Sequence, residues 1–279
     1  MPSAALASTS VDATDLLRDL TDLFENASVG LLILGPDGTV ERANRAAHLL
    51  SGRPPGGSDT LARTAAAAVF AEADWIRLNV RLDQDGVVRG LRVALRQPEG
   101  DLRPALIDAN VGGAGGGVIR VVVRPVFDRR PGGSADADRA SWDQGVRTAT
   151  AGPPRPSPAA PEPAVAAATE RLRDFLENVP VSIHQVSPQG LMVRANREQL
   201  RVLGHDADPA GFLGQDATVF YPVPAELQLL AEAFLTGEMV SDYDAVALRA
   251  DGRHLPVTVY TSPVAEPTEV ASRCFLFLR

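Results

Sequence analysis

The chain has 279 residues, 45% of them hydrophobic, and a formal net charge of −8. That apolar content is enough to build real cores in one large domain or two ordinary ones, and it excludes wholesale disorder. All 27 basic residues are arginine and they are scattered, which excludes lysine Schiff-base and phosphate-loop chemistry and argues against nucleic acid as a partner.

Residues 1–12 have neither the basic start nor the apolar core of a secretory leader and read as a disordered N-terminus. A first domain is expected over 13–127. Leu16, Leu17, Leu20, Leu23 and Phe24 recur at three- and four-residue spacing, the pattern of an amphipathic helix. Two short strands, 29–34 and 39–42, flank Pro36-Asp37-Gly38, where the glycine supplies the positive φ of a tight turn. Asn44 is placed to cap the next helix and Gly52 to stop it. A helix over 60–73 is expected to follow. After it, Ile76, Leu78, Val80 and Leu82 alternate with Arg77, Asn79 and Arg81, the period of a strand. An extra segment ends in glycines 112–117, and a strand at 118–124, apolar on both faces, closes the domain.

Residues 128–163 form a Pro/Gly/Ala-rich linker, expected to be extended and disordered, with Trp142 a stray aromatic inside it. The second domain, 164–279, opens on a helix carrying Leu172, Phe175 and Leu176. Strands at 181–186 and 191–194 surround Pro188-Gln189-Gly190, and Asn196 caps a helix that Gly204 ends. Gln199 stands where a capping box would place its returning side chain. A helix over 225–235 presents Leu227, Leu230 and Phe234 on one face, and strands 243–249 and 255–261 flank the hairpin signal Asp251-Gly252. The last strand, 273–278, is again apolar on both faces, so it belongs mid-sheet with something covering each side: helices on one, the opening helix or a partner subunit on the other.

The two halves repeat each other. Residues 25–52 align with 177–204 without gaps at a constant offset of 152, and Arg42-Ala43-Asn44-Arg45 matches Arg194-Ala195-Asn196-Arg197 outright. Each half orders as helix, two strands, helices and three strands, an α+β layout with one antiparallel sheet and helices on one face.

The motif Glu-Asn-x-x-Val, strand, Pro-x-Gly, strand, Ala-Asn, helix, Leu-x-Gly, present at 23–52 and 175–204, resembles the PAS family. The second copy is similar to the PAS domains of bacterial sensor histidine kinases, through Glu177-Asn178, Pro180, His184, Gly190, Ala195-Asn196-Arg197, Gly237-Glu238, Asp242-Tyr243, Asp251-Gly252 and Arg273-Cys274-Phe275. The first copy matches over 23–52 and departs afterwards. The resemblance implies two PAS-like domains with five-stranded antiparallel sheets, the first degenerate, acting in signal transduction by sensing or by binding partners. A homodimer, another signalling protein or a small-molecule ligand is the implied partner, in a bacterial two-component setting. No catalytic domain is recognisable, so the chain is not expected to be an enzyme; with its last residue at Arg279, the alternative is the truncated sensor half of a kinase.

No apolar run approaches the roughly 18 residues of a membrane-spanning helix, and the expected location is the cytoplasm. The resemblance does not extend to known cofactors, so the cofactor stays open: the region 214–220 lacks the cysteine of light-sensing flavin domains, and neither long helix carries the histidine of haem-binding ones. Cys274, the single cysteine, reads as a small buried hydrophobe, and His48, His205 and His254 as solvated or half-buried. No histidine, cysteine and carboxylate cluster has metal-ligand spacing. His184 shares a strand face with Ser182 and Val186; it is expected to be a hydrogen-bonded structural residue, or else a pocket group if that face points inward. Phe220, Tyr221, Leu230, Phe234 and Tyr243 are candidates to line such a pocket with it, or simply to fill the core. Asn44, Asn196, Gly38 and Gly190 are read as structural caps and turns.

Overall fold

A computed structural model describes residues 13–53, 61–112, 117–127, 135–150, 162–264 and 270–279. The N-terminal segment 1–12, part of the glycine run at 113–116 and the linker stretches 128–134 and 151–161 lie outside them, together with the expectations placed there.

The first domain runs α1 (Ala13–Glu25), β1 (Gly30–Leu34), β2 (Val40–Ala43), α2 (Arg45–Leu50), α3 (Ala66–Val69), α4 (Glu72–Asp85), β3 (Val87–Arg96), β4 (Leu102–Gly112) and β5 (Val118–Pro125). Its five-stranded antiparallel sheet has the order β2-β1-β5-β4-β3. The second domain repeats that order as β7-β6-β10-β9-β8, from β6 (Ser182–Val186), β7 (Met192–Ala195), β8 (Tyr243–Leu248), β9 (His254–Pro263) and β10 (Ser272–Leu278). Its helices are α6 (Glu162–Asn178), α7 (Arg197–Leu203) and α8 (Pro224–Thr236). The doubly apolar strands β5 and β10 are central in their sheets, as the pattern requires. Gly38 and Gly190 hold φ of 75° and 83° in the turns between the first two strands.

Asn44 and Asn196 do cap α2 and α7, and they do more. The Asn44 side-chain oxygen accepts from Leu31 N and Ala47 N at 2.8 and 2.9 Å, while its amide donates to the carbonyls of Phe24 and Val29. Asn196 repeats this with Ile183 N, Gln199 N, Leu176 O and Val181 O. One buried side chain thus ties the end of the opening helix, the first strand and the next helix together. The capping box at Gln199 does not form; its side chain is buried instead and reaches no hydrogen-bond partner.

The middle of the first domain departs from the sequence reading. Residues 76–82 are not a strand but the body of α4, and of the expected 60–73 helix only 66–69 and the first two residues of α4, 72–73, are α-helical within the described residues. Trp75, Leu78 and Leu82 supply a helical stripe toward the core, whereas Ile76 and Val80 are exposed. Glu72 and Asp74 favour the N-terminal turn and Gly86 closes the helix in the left-handed region. The strands lie later, in the long β3–β4 hairpin.

The linker also contains structure. Residues 135–150 form α5 (Ala135–Thr150), with acidic residues in its first turn and Trp142 buried, not stray. Trp142 and Val146, four residues apart on one helix face, join the core of the first domain with Phe127 and with Met239 from the second. Gly145 lets this helix approach Leu49 of α2.

Candidate functional site

Two places concentrate polar chemistry: the core of the second domain and the seam between the domains. On β6, Ser182, His184 and Val186 point to the inner, helix-covered face, so His184 does enter the core. Cys274 pairs across from it on β10. The ring of His184 meets Phe212 edge-on at 6.1 Å and Tyr221 at 6.5 Å. Burial is complete enough to push its pKa down to about 4, with Gln199 on α7 acting weakly in the opposite direction. Gln199 lies close enough to act on the ring, yet neither ring nitrogen reaches hydrogen-bond geometry with it or with any other described residue, so the expected hydrogen-bonded structural histidine is not what the fold provides. Burial likewise pushes Cys274 up to about 12 and raises Tyr221.

Of the other candidate lining residues, Phe220 and Tyr221 are buried in this cluster, and Leu230, Phe234 and Tyr243 pack against it half-buried. They fill the core around His184. Sequence reading missed Phe212, fully buried with its ring 4.5 Å from that of Phe220, and Gln199 as a core group. His205 packs against Phe212 and Phe220, His48 donates from Nδ1 to Arg53 O at 2.9 Å, and His254 is exposed. Among the described residues no group of three or more histidine, cysteine or acidic side chains could hold a metal ion.

The first copy is apolar at the positions equivalent to this polar pair. By the offset of 152, His184 corresponds to Leu32 and Gln199 to Ala47, and the strand partner of Leu32 is Val121 where His184 has Cys274. All three first-domain residues are buried and apolar.

At the seam, the outer faces of both sheets and the two opening helices make one apolar cluster. Leu20, Leu23 and Phe24 of α1 join Leu172, Phe175 and Leu176 of α6, with Leu31, Ile33 and Val122 from one sheet and Ile183, Tyr260, Phe275 and Phe277 from the other. The Phe24 and Phe175 rings meet edge-on at 5.4 Å. The outer face of 273–278, for which a partner subunit had been one candidate cover, is therefore covered from within the chain. Two ion pairs cross the seam reciprocally: Arg120 on β5 with Asp174 on α6 at 2.6 Å, and Arg273 on β10 with Asp22 on α1. Each aspartate is held by an asparagine four residues on, Asn178 and Asn26, so the repeated Glu-Asn motif positions the acceptors of the crossing arginines. Burial pushes Arg273 down to about 10, still charged at neutral pH. Arg124 lies 4.3 Å over the Phe277 ring, and Arg89 of β3 pairs with Glu198 of α7 at 2.7 Å.

Removing one partner of a buried pair strands the other charge, which costs about 3–5 kcal/mol when both are fully buried. Asp22 is one-third exposed, so D22N is expected to cost about 2 kcal/mol, read as a lowered urea midpoint with unchanged slope.

Residues 17–86 match the sequence model of the PAS domain family. Over those residues the chain is similar to PAS domains. The match runs from Leu17 within α1 to Gly86 at the end of α4; the second domain lies outside it and repeats the strand order and the motif of the first. Among solved structures, an RNA-binding light-oxygen-voltage receptor is similar at 14% identity and TM-score 0.37, over 90% of this chain and 95% of that one. The PAS domain of an HTR-like protein from Haloarcula marismortui is 23% identical, with TM-score 0.35, over 42% and 95%. A PAS domain from a two-component sensor histidine kinase is 15% identical, with TM-score 0.33, over 40% and 97%. No curated protein matches the chain.

Proposed function

We propose that this chain is a sensory signal-transduction module in which the second PAS domain senses, the first is docked against it as a structural partner, and the result is passed on by contact with another protein. One observation carries the sensing assignment. The side chains of His184 and Gln199 are buried beside each other with no hydrogen bond of good geometry among the described residues, at positions where the first domain has Leu32 and Ala47. Each unmet buried polar group costs about 1–3 kcal/mol, and an apolar solution to the same core exists in the same chain. A local rule broken at one copy and obeyed at the other marks a place kept for function. No helix among the described residues is long and apolar enough to cross a membrane.

Native mass spectrometry of the full chain tests this reading. The wild-type protein is expected to retain a small hydrogen-bonding guest that H184L loses at unchanged secondary structure. A wild-type chain of bare mass across growth conditions would remove the sensing role from this core.

A further inference from the structure

Two elements of the second domain touch the polar pair with one residue and the first domain with the next. On α7, Gln199 lies beside His184, while Glu198 accepts from Arg89 of β3 at 2.7 Å. On β10, Cys274 stands opposite His184, while Arg273 reaches Asp22 of α1 and Phe275 enters the shared apolar cluster. Neighbouring strand residues project to opposite faces from one rigid backbone, so Cys274 cannot shift without carrying Arg273 and Phe275 along. A short helix behaves the same way for Glu198 and Gln199. The first domain has the mirror-image link, Arg120 to Asp174, but Leu32, Ala47 and Val121 behind it. The seam is thus symmetric in its ion pairs and asymmetric in what lies behind them.

We infer that the packing state of His184 and Gln199 sets how tightly the first domain is docked on the second, through Glu198–Arg89 and Arg273–Asp22 as the two links. This rests on the sensing role assigned to that core above. The first domain is then the immediate reader of the second: a guest that draws His184 and Gln199 into hydrogen bonds moves α7 against β10 and strains both links together. A coupling between two sites is reciprocal, so loosening the seam must be felt in the core.

Hydrogen exchange on the full chain tests the wiring in both directions. H184L and Q199A are expected to change amide exchange in α1 by about fivefold or more. The seam variants R89Q and D22N, at positions that reach solvent, are expected to change exchange of β6 around His184 by a similar factor, which keeps the test open should a core variant fail to fold. Exchange altered in β6 and α7 but unchanged in α1, with the seam variants silent at β6, would overturn the coupling. A chain that carries no guest in native mass spectrometry yet shows both exchange effects keeps the coupling and loses only the ligand-sensing reading.

Discussion

Asn44→Ala is expected to destabilise the first domain by about 4 kcal/mol, far more than the loss of an ordinary helix cap. An exposed cap is worth about 1 kcal/mol. Asn44 is fully buried and makes four hydrogen bonds, two accepted and two donated. Each such bond contributes about 1 kcal/mol net, and truncation leaves groups with no water to replace the lost partner. Urea denaturation followed at Trp142, which sits in the same core, reads the loss directly. Asn196→Ala should cost a similar amount in the second domain, where the four bonds recur. Asn→Asp at either site discriminates further: it keeps the acceptors but turns a carboxylate toward two carbonyl oxygens, so it should also destabilise, and more so as pH rises. A loss near 1 kcal/mol would reduce both residues to simple caps.

These asparagines show what was legible in the sequence. The ungapped repeat gave the two-domain organisation, and the short spacing from strand to Asn to helix gave both caps, because local chemistry decides them. Their further bonds to the end of the opening helix and to the first strand were not legible, since those partners lie 13–20 residues away in sequence. The middle of the first domain was misread for a different reason. In residues 72–85 the apolar residues Ile76, Leu78, Val80 and Leu82 satisfy period two, yet Trp75, Leu78 and Leu82 satisfy a helix equally well, and the acidic first turn and Gly86 decide for the helix. In β3 the alternation is broken by an irregularity between Val88 and Leu91, where Gly90 takes positive φ and donates to the buried Asp108. Trp142 was misplaced because its neighbours are small and polar; its burial depends on α2 and on Met239 from the other domain. The seam itself had a faint signal, an aspartate four residues before the asparagine in both opening helices, but the arginines that answer it, Arg120 and Arg273, come from the opposite domain.

His184→Leu is expected to leave the chain at least as stable as the wild type at pH 7 and clearly more stable at pH 4. The sign follows from the histidine's two environments. Unfolded, the imidazole titrates near its ordinary 6.5; folded, burial pushes it down to about 4. Between those values the unfolded chain binds a proton that the folded chain refuses, so stability falls as pH drops from about 6.5 to 4 and this contribution is flat below. The depression corresponds to about 3 kcal/mol over that window. Leucine has no proton to take up, and it is the residue the first domain uses at the same place. Carboxylates titrate in the same range, but they are common to both proteins, so the difference in unfolding free energy between wild type and H184L isolates the histidine. That difference should grow by about 3 kcal/mol from pH 7 to pH 4 in parallel urea titrations. A constant difference would mean that the folded core admits the proton, and with it water, which is how an open site behaves and not a sealed one. A guest that hydrogen-bonds to the neutral ring should widen the gap in the other direction, stabilising the wild type and leaving H184L untouched. The same pair of proteins therefore separates a histidine kept for sensing from one that the fold merely tolerates.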